Sequence, residues 1–242
     1  MSTSKWDVTF LVYRQKGQVT PYYDEFTIKV NPDEYVLDAV ERIWAYDDRS
    51  LVFAHACHHS TCGACGMRVN GVEKLTCITL IRDVTADGGT VKVDPLRNFP
   101  IISDLVVDMG VLYTRMDEVG HRPVLPLSEE PAEPGAKPVK IAAEGDYIRL
   151  ADCIECGLCI SACPIATTTS GYLGPAVLAG ALQHGLDSDQ HLLPLVEGKN
   201  GVWRCHSAFE CTEVCPSYVE PAGKIMKLRK QVIWKRIFGI NK

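Results

Sequence analysis

The sequence predicts an α+β protein built in two parts, on three observations. Residues 1–100 contain short runs that alternate apolar with polar side chains and are separated by turn residues. From residue 141 onward the apolar positions recur at helical spacing, interrupted at Gly171, Gly174-Pro175 and Gly198–Gly201. All eleven cysteines fall into three compact groups, one in the first part and two in the second.

Within the first part, residues 6–13 and 26–30 alternate as strands. Residues 34–45 place Val36, Ala39, Val40 and Ile43 on one helical face. Residues 67–69 and 72–75 flank Asn70-Gly71, a strong hairpin signal because both residues tolerate positive φ. Residues 90–93 form a last strand. Strands, one crossing helix and a cysteine loop ahead of the hairpin predict a small β-grasp sheet. From 101 to about 118 the period changes: Ile101, Ile102, Leu105, Val106, Met109, Leu112, Tyr113 and Met116 form one helical stripe. Pro123, Pro126, Pro131, Pro134 and Pro138, with acidic residues between them, mark a linker at about 121–143. The expected units are 1–108, the β-grasp domain, and 109–242, an all-α domain that includes the linker.

Composition narrows the function. A net charge of −5 gives nucleic-acid binding no electrostatic support. No run reaches the ~18–20 apolar residues of a membrane span, and the first residues show neither an apolar export core nor twin arginines. A disulfide scaffold is disfavoured by the odd cysteine count and the missing secretory signal. Zinc ribbons also use Cys-x2-Cys pairs, but they do not call for a further cysteine three residues on, followed by proline.

The spacings fit iron–sulfur clusters, whose soft iron sites take thiolates converging on one point. Cys57-x4-Cys62-x2-Cys65, closed by Cys77, has the plant-ferredoxin spacing of a [2Fe–2S] site, although its last gap of eleven residues is short for that type. Gly63, Ala64 and Gly66 let backbone N–H groups approach the sulfurs. Cys153-x2-Cys156-x2-Cys159-x3-Cys163-Pro164 is an intact bacterial-ferredoxin run. The third group reads Cys205-x2-Ala208-x2-Cys211-x3-Cys215-Pro216, the same run with alanine at its second ligand position. In two-cluster ferredoxins the fourth cysteine of each run serves the other cluster. Cys153, Cys156, Cys159 and Cys215 therefore hold a [4Fe–4S] cluster, and Cys163, Cys205 and Cys211 hold a deficient one. With Ala208 supplying no thiolate, [3Fe–4S] is the expected product. The alternative is a labile [4Fe–4S] with water or another residue on the fourth iron. Pro164 and Pro216 turn the chain sharply away from their clusters.

This order of domains and the deficient second run resemble the iron–sulfur subunit of succinate dehydrogenase and quinol:fumarate reductase. So do Asp94-Pro95-Leu96, Phe99-Pro100, Gly174-Pro175-Ala176 and the phrase Asn200-Gly201-Val202-Trp203-Arg204-Cys205-His206-Ser207. The resemblance covers nearly the whole chain. It implies a subunit that passes electrons from the FAD of a flavoprotein partner to a membrane quinone. The succinate dehydrogenase direction is the leading reading, fumarate reduction the alternative, and a free-standing multi-cluster ferredoxin a third. It further implies one or two membrane-anchor subunits, with or without haem b, and a peripheral position on the cytoplasmic face of a bacterial inner membrane. The quinone pocket of the family maps to Pro164, His206 and Ala208. His206 also reads as an ordinary surface or helix-end histidine. A tryptophan common after the Cys-Pro of ubiquinone-type members is replaced by Ile165-Ala166-Thr167-Thr168-Thr169, which favours menaquinone.

Two features remain. His58 and His59 evoke Rieske ligation, but four cysteines already complete that site, so both read as loop residues tuning solvation. Lys224 to Arg236 is a basic amphipathic tail whose default reading is a solvated helix face. Contact with an anchor subunit or anionic headgroups is the other reading.

Overall fold

The computed structural model describes residues 5–120, 153–169, 171–186 and 190–238. The predicted linker at 121–143 lies outside the described residues.

Strand β1 (Trp6–Arg14) pairs antiparallel with β2 (Tyr22–Val30), in register from Trp6↔Val30 to Arg14↔Tyr22. β2 begins four residues earlier than its apolar pattern indicates. It is an edge strand, and Tyr22 and Tyr23 are exposed, so nothing there demands alternation. The hairpin β3 (Gly66–Val69) and β4 (Val72–Leu75) turns at Asn70 and Gly71, both at positive φ, as their types favour. β5 (Thr90–Asp94) lies parallel to β1 and antiparallel to β3, giving the order β2-β1-β5-β3-β4. Helix α1 (Val36–Arg42) buries Val36, Ala39 and Val40 against Val8, Phe10, Val12, Val91 and Val93 of this mixed sheet. This is the expected β-grasp arrangement. A wider helical turn, Ile43–Asp47, extends α1 and buries Ile43.

The helical stripe predicted from residue 101 is corrected by the structure. Ile101–Ser103 (β6) and Val106–Val107 (β7) pair as a two-stranded ribbon, and only Gly110–Glu118 (α2) is helical. Asp104 breaks the helix. It adopts φ 45 and is fully buried, with its carboxylate accepting from the N–H of Gln15 and of Val52, each at 2.9 Å. The apolar spacing is thereby split between two cores: Leu105 joins the sheet core, Leu112 and Met116 the helical one.

The second core is built on α5 (Pro175–His184) and the long α8 (Pro221–Phe238), numbered after the short helices α3 (Leu158–Ser161) and α4 (Pro164–Thr168). α5 is buried from Pro175 through Ala181, so it is a central helix with no solvated face. α8 contributes Ala222, Ile225, Leu228 and Val232, and α6 (Leu192–Glu197) contributes Leu192 and Val196. Cys159, Cys163 and Cys211 sit within this core.

A polar clamp joins the two parts. Buried Ser161 donates to Glu73 Oε1 at 2.8 Å and accepts from Arg97 N–H at 2.9 Å, while Asn98 Nδ2 donates to the carbonyl of Ile160 at 2.7 Å. Around it Leu37, Leu75 and Leu96 pack on Leu158, together with Cys65 and Cys77.

Candidate iron–sulfur centres

The first cysteine group forms a loop ahead of β3, closed from the turn Thr76–Ile78 that follows β4. Left-handed backbone at His58, Ser60 and Gly63 curls the loop, so its N–H groups point inward. Cys57 Sγ accepts from the N–H of His59, Thr61 and Cys62 at 3.5, 3.3 and 3.4 Å, and Cys77 Sγ accepts from Ser60 at 3.4 Å. These bonds, led by the one from His59, draw the Cys57 thiol down to about 6. Burial, with Cys65 beside it, pushes Cys77 up to about 12. Donors aimed at sulfur are the surroundings that charged cluster thiolates require.

The second and third groups are the same backbone used twice. Glu155 and Gly157 adopt φ 51 and 76, and Ser207 and Phe209, two residues after Cys205 and one after Ala208, adopt φ 58 and 64. Each loop then enters a one-turn helix, α3 after Gly157 and α7 (Glu210–Glu213) after Phe209. Ala208 thus occupies, in backbone terms, the place of Cys156. The N–H of Glu155 and of Ser207 each bond the sulfur two residues earlier, the latter at 3.4 Å.

Proximity sorts the thiols across the two runs. Cys153, Cys156, Cys159 and Cys215 line one cavity, and Cys163, Cys205 and Cys211 line another. Burial, reinforced by these neighbours, raises Cys153 to about 11 and Cys156 and Cys211 each to about 12. Cys159 is also pushed well above the ordinary thiol range, first by burial. Such thiols stay protonated unless iron takes the charge.

All eleven cysteines are free of disulfides. Among the described residues no three of their sulfurs lie within 4.8 Å of one another. A single zinc ion would hold thiolates about 3.8 Å apart, given Zn–S lengths near 2.3 Å. The thiols are arranged more openly than that among the described residues.

Comparison with known proteins agrees with this geometry. Residues 9–114 match the 2Fe-2S iron-sulfur cluster binding domain family, and residues 149–219 match the 4Fe-4S dicluster domain family. The chain is 33% identical over 234 residues to the fumarate reductase iron-sulfur subunit of Haemophilus influenzae, covering 90% of each. It is 34% identical to the corresponding Mycobacterium tuberculosis subunit, covering 90% of this chain and 88% of that one. The chain belongs to the succinate dehydrogenase/fumarate reductase iron–sulfur subunit family. The mitochondrial succinate dehydrogenase [ubiquinone] subunit of Dictyostelium discoideum is 32% identical, over 92% of this chain and 81% of its own length. The solved Mycobacterium smegmatis Sdh1 complex in the apo form contains a chain of the same fold. It matches with a TM-score of 0.78 and 25% identity, covering 97% of this chain and 98% of that one. The first part of this family member is a [2Fe–2S] domain, the second a [4Fe–4S] dicluster domain, and its work is electron transfer.

Pro164, His206 and Ala208 are exposed and line the cavity of Cys163, Cys205 and Cys211, together with Ile165 and Tyr172. His58 turns its ring toward Glu41 and His55, and His59 offers the Cys57 sulfur its N–H.

The basic tail keeps Lys227, Lys230 and Arg236 exposed, as a solvated helix face would, and departs from that reading at two positions. Lys224 is buried, and the guanidinium of Arg229 donates to the carbonyls of Val202, at 3.0 and 3.1 Å, and of Cys205. Arg229 therefore braces the third cysteine loop, a role that a charge run conceals. The exposed face of α8 is apolar at Ile233, Trp234 and Ile237. No helix among the described residues is long and apolar enough to cross a membrane.

Proposed function

We propose that the chain is the electron-transfer subunit of a membrane-bound succinate:quinone oxidoreductase. Cys57, Cys62, Cys65 and Cys77 hold [2Fe–2S]; Cys153, Cys156, Cys159 and Cys215 hold [4Fe–4S]; Cys163, Cys205 and Cys211 hold [3Fe–4S]. Residues 1–108 and 109–242 are its two units. Bound there, the clusters supply the one-electron steps that link a two-electron flavin to a quinone. The protein's own part is to fix the thiolates, aim N–H donors at them and exclude water by burial.

One observation carries the reading: the repeat of positive φ that sets Ala208 where Cys156 stands, in a cavity shared with exposed Pro164 and His206. A site that lacks a thiolate and opens outward fits a terminal cluster beside a quinone, and the absent tryptophan favours menaquinone. The partners are an FAD flavoprotein and one or two anchor subunits, with or without haem b. The chain lies peripherally on the cytoplasmic face of a bacterial inner membrane. Quinol:fumarate reduction is the second reading, favoured by the fumarate reductase names of relatives at 33–34% identity.

Low-temperature EPR of the oxidised complex tests the third site: a [3Fe–4S] signal is expected. Ala208→Cys supplies the missing thiolate, abolishing that signal and slowing quinone reduction. A signal that survives the substitution unchanged refutes the ligand reading. A chain that isolates without any flavoprotein refutes the subunit reading.

A further inference from the structure

Beside the first cysteine loop, three side chains outside the cluster machinery converge on one point. Glu41 lies near the end of α1, His55 just ahead of the first cysteine of the loop, and His58 on the loop itself. Glu41 Oε1 is 3.0 Å from His55 Nδ1 and 3.1 Å from His58 Nε2, and the two ring nitrogens are 3.1 Å apart. The three donor atoms form a nearly equilateral triangle.

Hydrogen bonds alone do not account for this triangle. If both rings donate to the carboxylate, their N–H groups sit side by side across the third edge. If one ring donates to the other, a lone pair is left facing the carboxylate oxygen. Protons satisfy two edges at most. The geometry agrees: Glu41 Oε1 is shielded from solvent, yet no donor is aligned on it among the described residues. An unsatisfied buried carboxylate oxygen is costly, and a cation at the centre makes all three contacts attractive.

We propose that Glu41, His55 and His58 form a binding site for a divalent cation of the zinc class. Metal–ligand lengths near 2.1 Å place neighbouring ligand atoms about 3.0–3.4 Å apart, from octahedral to tetrahedral arrangements. The observed 3.0–3.1 Å falls in that range. Two imidazoles and one carboxylate are a donor set zinc accepts, with a further position left to water. The half-exposed rings of His55 and His58 leave that position open. Support from behind the ligands is present as well. Phe53 stacks on His55 at 5.1 Å and 17°, and Trp44 meets the edge of Phe53 at 6.4 Å. His58 holds φ 60, an unfavourable backbone for a non-glycine residue, and that backbone belongs to a loop that turns its ring to the other two. A bound cation ties α1 to the cluster loop and offsets that strain. The site does not depend on which acceptor the chain serves.

The test uses the purified complex with its clusters intact, stripped of loose metal by dialysis against a chelator. Wild type, Glu41→Gln and His55→Gln are then dialysed against micromolar Zn2+ alone, and zinc and iron are counted per chain by mass spectrometry. EPR of the reduced [2Fe–2S] centre verifies that each variant keeps its cluster. Glu41 lies on α1, outside the cysteine loop, so Glu41→Gln serves if His55→Gln loses iron. Wild type is expected to take up one zinc more per chain than either variant, at constant iron. Equal zinc in wild type and Glu41→Gln, or none in wild type, overturns the proposal.

Discussion

Gly63 sets how closely the first cysteine loop approaches the second. A Cβ there would meet Cys156 Cβ at 2.8 Å, and Cys156 Cα and the Ile154 carbonyl oxygen at 3.0 Å each. Ordinary contacts begin near 3.4 Å, so Gly63→Ala must part the loops by about half an ångström where Cys62 and Cys156 line one cavity. Two costs add. Gly63 sits at φ 73, where a side chain costs about 1–2 kcal/mol. Forcing a methyl into a packed contact costs about 1–3 kcal/mol more. Gly88 separates the two: it has φ 72 but nothing within 4 Å of an added Cβ, so Gly88→Ala carries the backbone cost alone. Thermal unfolding of the holo-protein, followed by loss of cluster absorbance, reads the difference. At roughly 2–4 °C per kcal/mol for a chain of this size, Gly63→Ala melts several degrees below Gly88→Ala. Equal melting temperatures refute the claim that close loop contact is built into Gly63.

Two further predictions concern charged side chains. Arg229→Lys keeps the charge but loses the planar fork that reaches both Val202 and Cys205 carbonyls, so the third group releases iron to a chelator several-fold faster than wild type. Unchanged iron-release kinetics sink that role. Asp48 is held down to about 2, first by the hydrogen bond from Arg14 and then by Ser50. Its folded value lies below the unfolded value near 4, so its stabilisation is full above about pH 4 and is lost as pH falls toward 2. Melting curves of wild type and Asp48→Asn should therefore converge on acidification, the acid lability of the clusters being common to both. A gap that stays constant from pH 5 to pH 3 contradicts the assignment.

What the sequence made legible follows from how local the signal is. Asn70-Gly71 announced its hairpin because the turn itself demands those residues. The cysteine groups were legible for the same reason, since ligands spaced two and three apart must share a loop. Signals that depend on remote partners were not. Residues 101–118 keep helical spacing, yet Asp104 answers to the backbone of Gln15 and Val52 and breaks the helix. The opening of β2 has no apolar pattern because its pairing to β1 suffices at a sheet edge. Lys224 and Arg229 read as part of a solvated charge run, but the burial of Lys224 and the carbonyls that Arg229 serves are set by tertiary packing. Glu41 lies fourteen residues before His55 in sequence, so the triangle it completes has no spacing signature.

The repeat gains its meaning from where each copy faces. In the second run, Cys156 lies under the first loop, so close to Gly63 that a side chain there would have to push the two loops apart. Its counterpart in the third run is exposed Ala208, flanked by exposed His206 and by Phe209, a bulky residue held at positive φ where the second run has Gly157. The thiol is kept where the second run meets the first cysteine loop, at Gly63, and is replaced by alanine at an exposed position of the third. A symmetric pair of ferredoxin runs has no preferred end. Placing an exposed alanine where the other run has the half-buried Cys156 gives this pair one, with one run set against the first cysteine loop and the other opening to solvent at Ala208.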